Sequence, residues 1–139
     1  MAEGVMRKKI TDKSLAITVD SAGTANYHVG EPPDERAIAT AKNFGIDISK
    51  FRGRQFGIND FDRFDKIFAM DSSNYRNIIK LARSKKDKNK VFYFLTKGHE
   101  GSDVPDPWYG GSEEFIHVFE LLQKASDKIL EKIITHTQE

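Results

Sequence analysis

The stretch Lys66-Ile67-Phe68-Ala69-Met70-Asp71-Ser72-Ser73-Asn74 decides the fold. Its first five residues are almost wholly apolar, as a strand is when both of its faces are covered; a half-solvated strand alternates instead. The polar cluster that follows closes the strand and opens a helix over residues 73–83, with Ile78, Ile79 and Ala82 inward. A buried strand running straight into a helix is the repeating step of an α/β sheet, and the turn between them is where such sheets place their sites. Asp71 stands in that turn, where a helix cap or hydrogen-bond organiser competes with a direct chemical role.

The same step recurs on either side. Leu15-Ala16-Ile17-Thr18-Val19 is a short β-branched run, expected as a buried strand. It ends at Asp20-Ser21-Ala22-Gly23-Thr24, small residues that let a backbone pass close to something else. Val91-Phe92-Tyr93-Phe94-Leu95 reads as a third strand. Residues 2–10 have helical spacing, with Ala2, Val5, Met6 and Ile10 on one face. Asp34 caps a helix in which Ala37, Ile38, Ala41 and Phe44 repeat, and Gly45 stops it. Asn59 or Asp60 caps a short turn through Phe61 and Phe64. Residues 113–135 form an amphipathic helix with Phe115, Val118, Phe119, Leu122, Ala125, Ile129 and Ile133 on its stripe. Strands separated by helices predict a parallel sheet with helices on both faces, an α/β fold. The remaining segments read as loops: 25–33, 46–56 with its solvated Lys50, Arg52 and Arg54, the basic linker 84–90, and 96–112.

A chain of 139 residues fits one domain, and 22 basic against 21 acidic residues give a net charge of +1, with no general pull toward nucleic acid or anionic membrane. There is no cysteine, which removes disulfides, thiolate metal sites and any cysteine nucleophile from this chain. The charged N-terminus has no apolar run behind it, and no segment reaches bilayer-spanning length, so a cytoplasmic protein is expected. His28, His99, His117 and His136 lack metal-ligand spacing, and no metal site is read from them.

In a parallel sheet the functional edge lies at the carboxyl ends of the strands. Loops 20–33, 71–74 and 96–112 are expected to converge there, bringing Asp20, Tyr27, His28, Asp71, Asp106, Trp108 and Tyr109 to one rim. The stretch Asp103-Val104-Pro105-Asp106-Pro107-Trp108-Tyr109-Gly110-Gly111 is the one that looks built for chemistry. Proline and glycine keep it out of helix and central strand. Asp106 beside the two aromatics would be a carboxyl group against apolar walls, an arrangement that retains a proton near neutral pH. The same residues are also ordinary surface-turn chemistry.

Matched in order, Asp20-Ser21-Ala22-Gly23-Thr24, Tyr27-His28-Val29-Gly30-Glu31-Pro32-Pro33-Asp34, Arg36-Ala37, Gly45-Ile46-Asp47-Ile48, Arg54-Gln55, Ala69-Met70-Asp71-Ser72-Ser73-Asn74 and Asp106-Pro107-Trp108-Tyr109-Gly110 resemble the low-molecular-weight protein tyrosine phosphatases. The resemblance runs along nearly the whole chain, taken as a single phosphatase-like domain over residues 1–139. It implies a doubly wound, Rossmann-like parallel sheet of four strands, three of them recognisable here, and a reaction without a cofactor. It implies that Asp106 is the general acid protonating the leaving tyrosyl oxygen. Tyr27, Trp108 and Tyr109 would form the slot for a phosphorylated ring, His28 would tune substrate preference, and Asp71 would be a structural carboxylate behind the phosphate loop. The partner implied is a phosphotyrosine-containing protein or a small aryl phosphate.

The resemblance also implies a strand before the first helix, running into a loop of cysteine, five residues, arginine, serine and proline. That loop supplies the attacking thiolate and the phosphate cradle, passing through a cysteinyl-phosphate intermediate. Neither strand nor loop is in this sequence, so the domain is expected to be N-terminally incomplete and inactive as written. An opened sheet would lower stability, close through its neighbouring strands, or pair with a second chain as a homo-oligomer. A catalytically dead phosphoprotein-binding relative and the arsenate reductase or phosphoarginine phosphatase branches are the alternatives.

Overall fold

A computed structural model describes residues 1–24, 29–97, 100–107 and 110–138, with side chains up to 135. In chain order the elements are α1 (Ala2–Asp12), α2 (Glu35–Asn43), α3 (Asp60–Arg63), β1 (Ile67–Ala69), α4 (Ser72–Leu81), α5 (Lys85–Lys88), β2 (Val91–Tyr93), β3 (Leu95–Lys97), β4 (Glu100–Ser102) and α6 (Ser112–Gln138). They form two compact units, one of Met1–Ser21, Pro32–Arg52 and Pro105–Glu139, the other of Ala22–Glu31 and Gly53–Val104.

In the first unit α1 and α2 both pack on α6. The α6 stripe is buried at Phe115, Val118, Phe119, Leu122, Ala125, Ile129 and Leu130, together with Val5, Met6 and Ile10 of α1 and Ala37 and Ala41 of α2. The end of α2 follows from its sequence. Phe44 is the C-cap and Gly45 takes φ +79°. The Gly45 N–H reaches the Lys42 carbonyl at 2.9 Å and the Ile46 N–H the Ala41 carbonyl at 2.9 Å. This is the Schellman pairing, which glycine enters without a Cβ penalty. It turns Ile46 and Ile48 into the core. The same pairing ends α1, with Ser14 at φ +53° and the Leu15 N–H on the Ile10 carbonyl at 3.0 Å.

Residues 15–19 do not form the expected strand. Leu15, Ile17 and Val19 are half-buried and Ala16 and Thr18 exposed, the period of two that an extended chain gives. Its anchors run to α1 instead of to a ladder: Leu15 through the Ile10 carbonyl, and Val19 by accepting from the Arg7 guanidinium at 2.9 Å. A strand exists only through its partner, and apolar β-branched residues do not supply one.

In the second unit the deciding stretch folds as read. β1 pairs in parallel with β2, with Ile67 beside Val91, Phe68 beside Phe92 and Ala69 beside Tyr93. Ile67, Ala69 and Val91 pack with Ile78 of α4, with Phe61 of α3 and with Phe56, and Phe64, Tyr75, Ile79 and Ala82 border that core. Two loop readings are corrected. Residues 84–90 contain α5, capped by Ser84, and Asp87 is only 4% exposed because it accepts from the Arg83 backbone N–H at 2.9 Å and its guanidinium at 2.8 Å. Residues 95–102 hold an antiparallel pair, β3 with β4, where Gly101 lies against the Tyr93 ring so closely that a Cβ would overlap it. Neither was legible, because α5 is one turn of four residues and the pair spans three residues a side, too short for a period to register.

Candidate active site

The carboxyl end of β1 is organised by the first turns of α4. Asp71 is the N-cap of that helix, and its carboxylate accepts from the Asn74 backbone N–H at 2.7 Å, satisfying one of the donors a helix start leaves open. The cap expected from the sequence is therefore present. Asp103, quoted in the sequence only as part of its loop, bonds to the same turn. Its Oδ1 accepts from the Ser72 N–H at 2.8 Å and from the Ser72 hydroxyl at 2.7 Å. The next residue is tied in register, with the Val104 N–H on the Met70 carbonyl at 2.7 Å.

The loop after residue 20 reaches this turn through Thr24. The Thr24 hydroxyl oxygen accepts from the side-chain amide of Asn74 at 3.2 Å and of Asn77 at 3.5 Å. Thr24 is held in place by a short parallel bridge one residue before it. The Gly23 N–H donates to the Arg54 carbonyl and the Phe56 N–H to the Gly23 carbonyl, both at 2.8 Å. Gly30 and Glu31 lie along Gly53 in the same way. Residues 53–56, expected as a solvated basic loop, are thus a rail for loop 22–31. Arg54 in particular is only partly exposed, its guanidinium 3.0 Å from the Asp60 carboxylate. Burial pushes the Asp60 carboxyl up, yet the Arg54 guanidinium and the Gly57 N–H together hold it below its ordinary value. Residues from all three loops expected at the sheet edge, Thr24, Asp71 and Asp103, meet on α4.

In the first unit the chain turns after Asp106. The Gly110 N–H closes on the Pro107 carbonyl at 2.9 Å, and the Arg36 guanidinium donates to the Gly110 carbonyl at 3.1 Å. Arg36 also holds Asp34 and lies 4.7 Å over the Phe115 ring. Its guanidinium keeps the Asp34 carboxyl below the usual carboxylate range. The Glu114 carboxylate folds back to accept from the Gly111 N–H at 2.9 Å, half of a capping box for α6. A Cβ on Gly110 would lie 2.6 Å from Glu114, so the glycine there is what lets the glutamate fold back. Asp106 itself is exposed to solvent. Tyr27, His28, Trp108 and Tyr109 lie outside the described residues. Asp20 is exposed and its carboxylate accepts from the Ser21 N–H at 2.8 Å.

Among the described residues no group of histidine, aspartate and glutamate is arranged to hold a metal ion, and no helix is long and apolar enough to cross a membrane. The residues missed by sequence reasoning are Asp103, Thr24, Asn77 and Arg36. Each acts through a partner dozens of positions away, and only Thr24 and Arg36 stood in stretches matched to the family.

This arrangement of loops around a strand–helix turn has counterparts. The whole chain, residues 1–139, matches the family described as low molecular weight phosphotyrosine protein phosphatase. A low molecular weight phosphotyrosine protein phosphatase of Schizosaccharomyces pombe is 38% identical, with 96% of this chain and 87% of that protein covered. The Saccharomyces cerevisiae protein of the same name is 34% identical, covering 95% and 85%. A crystal structure of a protein tyrosine phosphatase from Entamoeba histolytica, with Hepes in its active site, superposes at a TM-score of 0.89 and 33% identity, covering 98% of this chain and 88% of that one. The architecture is accordingly α/β and Rossmann-like, and the chain belongs to the low molecular weight phosphotyrosine protein phosphatases, hydrolases of the protein phosphatase class.

Proposed function

We propose that this domain serves the hydrolysis of phosphotyrosine, with Asp106 as the general acid. In that reaction a cysteine thiolate attacks phosphorus, the bond from phosphorus to the tyrosyl oxygen breaks, and the Asp106 carboxyl gives its proton to the departing oxygen. Tyr27, Trp108 and Tyr109 form the slot for the phosphorylated ring, and His28 beside it tunes which ring is accepted. Asp71 supports the site from behind as the cap of α4. The observation that carries this reading is the family match over the full 139 residues together with the Asp106-Pro107-Trp108-Tyr109 sequence.

The 139-residue chain alone does not turn over, because it contains no cysteine to form the phosphoenzyme. An acid assists a leaving group only when something attacks. p-Nitrophenyl phosphate hydrolysis by the purified chain tests this, with a rate at background expected. Turnover abolished by Asp106→Ala would show that another nucleophile operates. A polypeptide that carries this domain together with a cysteine loop tests the acid: Asp106→Asn there lowers kcat by about 10²-fold, and an unchanged kcat would remove Asp106 from that role.

A further inference from the structure

Residues 15–19 run extended without a ladder, and the way their backbone groups are used leaves one edge of the segment unpaired. In an extended chain the N–H and C=O of one residue point to the same edge, and successive residues take opposite edges. The two groups that are engaged, the Leu15 N–H on the Ile10 carbonyl and the Val19 carbonyl on the Arg7 guanidinium, both belong to odd-numbered residues. That edge faces α1. Ala16 and Thr18 turn to the other edge, and their N–H and C=O groups have no partner among the described residues. Both residues are exposed. The stretch Leu15-Ala16-Ile17-Thr18-Val19 carries neither proline nor charge, the devices that keep a strand edge from pairing.

We propose that residues 15–19 are the interface through which a second copy of this chain adds, as an antiparallel strand related by a two-fold axis at Ile17. The segment is complementary to itself in that register. Ala16 of one copy and Thr18 of the other exchange both backbone hydrogen bonds, and the two-fold repeats the exchange, so every group of that edge is satisfied. Leu15 stands opposite Val19 and Ile17 opposite Ile17, an unbroken apolar row on the half-buried face. Charge sets the direction. Exposed Lys13 and Asp20 bracket the segment, and antiparallel pairing brings the Lys13 of one copy to the Asp20 end of the other, whereas a parallel pair sets like charges side by side. Five residues a side make a weak, transient association. The interface is independent of the function proposed above.

Sedimentation equilibrium of the 139-residue chain from micromolar to millimolar concentration tests it, with a monomer–dimer equilibrium expected. Thr18→Pro removes an N–H that the monomer does not use and half of the intermolecular bonds, so dimerisation weakens about 30-fold. Asp20→Lys weakens it about three- to tenfold, and adding Lys13→Asp restores it. Because the chain has no cysteine of its own, a single one reads the register. Ile17→Cys lies on the two-fold, where facing Cα atoms about 4.5 Å apart accept a disulfide, and it crosslinks into dimers under mild oxidation. Ala16→Cys, which faces Thr18, stays uncrosslinked. A chain monomeric throughout the range overturns the proposal, as does a dimer that Thr18→Pro leaves equally strong or an Ala16→Cys variant that crosslinks as fast as Ile17→Cys. Should Thr18→Pro fail to fold, the charge reversals decide by the same measurement, and dimerisation unmoved by Asp20→Lys then overturns it.

Discussion

The guanidinium of Arg54 lies 3.0 Å from the carboxylate of Asp60, a side chain only 3% exposed, while the carbonyl of the same arginine accepts the Gly23 N–H. One residue thus joins a buried acid to the rail that carries the Thr24 loop. Asp60 also accepts from the Gly57 N–H at 2.9 Å, so its removal leaves two donors without their acceptor. Asp60→Ala should destabilise the chain by about 2–3 kcal/mol, read as a lower urea midpoint at unchanged slope. A loss under about 0.5 kcal/mol would mean that water replaces the carboxylate without cost.

Acid should act through the same group. The folded-state value of Asp60 lies below its ordinary 3.8, so between the two the unfolded chain binds the proton and the folded chain does not. Its contribution is complete above the unfolded value and is lost as pH falls through the folded one. Asp34, Asp62 and Asp87 are lowered by their arginine partners, Arg36 and Arg83, and shift in the same sense. Stability should decline below about pH 4, and Asp60→Asn should show a shallower decline. Equal slopes for the two proteins would detach Asp60 from acid unfolding.

Arg36 uses its planar fork three ways, on Asp34, on the Gly110 carbonyl and over Phe115. Lysine offers a point charge and no stacking face. Arg36→Lys should therefore fail to hold the Gly110 carbonyl, lowering the thermal midpoint by roughly 3–5 °C. A lysine variant indistinguishable from the parent would show that charge alone suffices.

Ser126 sits fully buried on α6, and its hydroxyl has no hydrogen-bond partner among the described residues. Burying an unpaired hydroxyl costs free energy that alanine avoids, at almost the same volume. Ser126→Ala should leave the fold unchanged and raise stability by about 1 kcal/mol. A destabilised variant would reveal a partner for the hydroxyl.

Gly101 of β4 faces the Tyr93 ring, which in turn stacks on Tyr75 at 4.7 Å. A methyl group there must displace either the ring or the strand. Gly101→Ala should cost about 1–3 kcal/mol by thermal or urea unfolding, and a neutral result would mean the ring moves freely.

The elements that the sequence predicted well are those whose causes are local. The Asp71 cap, the glycine stop after α2 and the apolar run of β1 each depend on residues within a few positions, so spacing reveals them. The strand expected at 15–19 failed for the opposite reason, since a β-branched run is local and its ladder partner is not. Arg54 and Asp87 were misread as solvated because a charge says nothing about which carboxylate or guanidinium will meet it. Asp106, Tyr27, His28, Trp108 and Tyr109 were read from loop composition and from the family resemblance; of these only Asp106 is among the described residues, and it is exposed.

By itself the sequence determined the α/β class, the strand–helix turn at Asp71, the family resemblance and the absence of a thiol nucleophile, because these follow from residue identity and short-range order. Only the tertiary structure decided what holds the site loops. Ser72 meets Asp103 across 31 positions, Thr24 meets Asn74 across 50, and Arg36 meets Gly110 across 74. Such contacts form when helix and sheet packing closes long stretches of chain, and no local period records them.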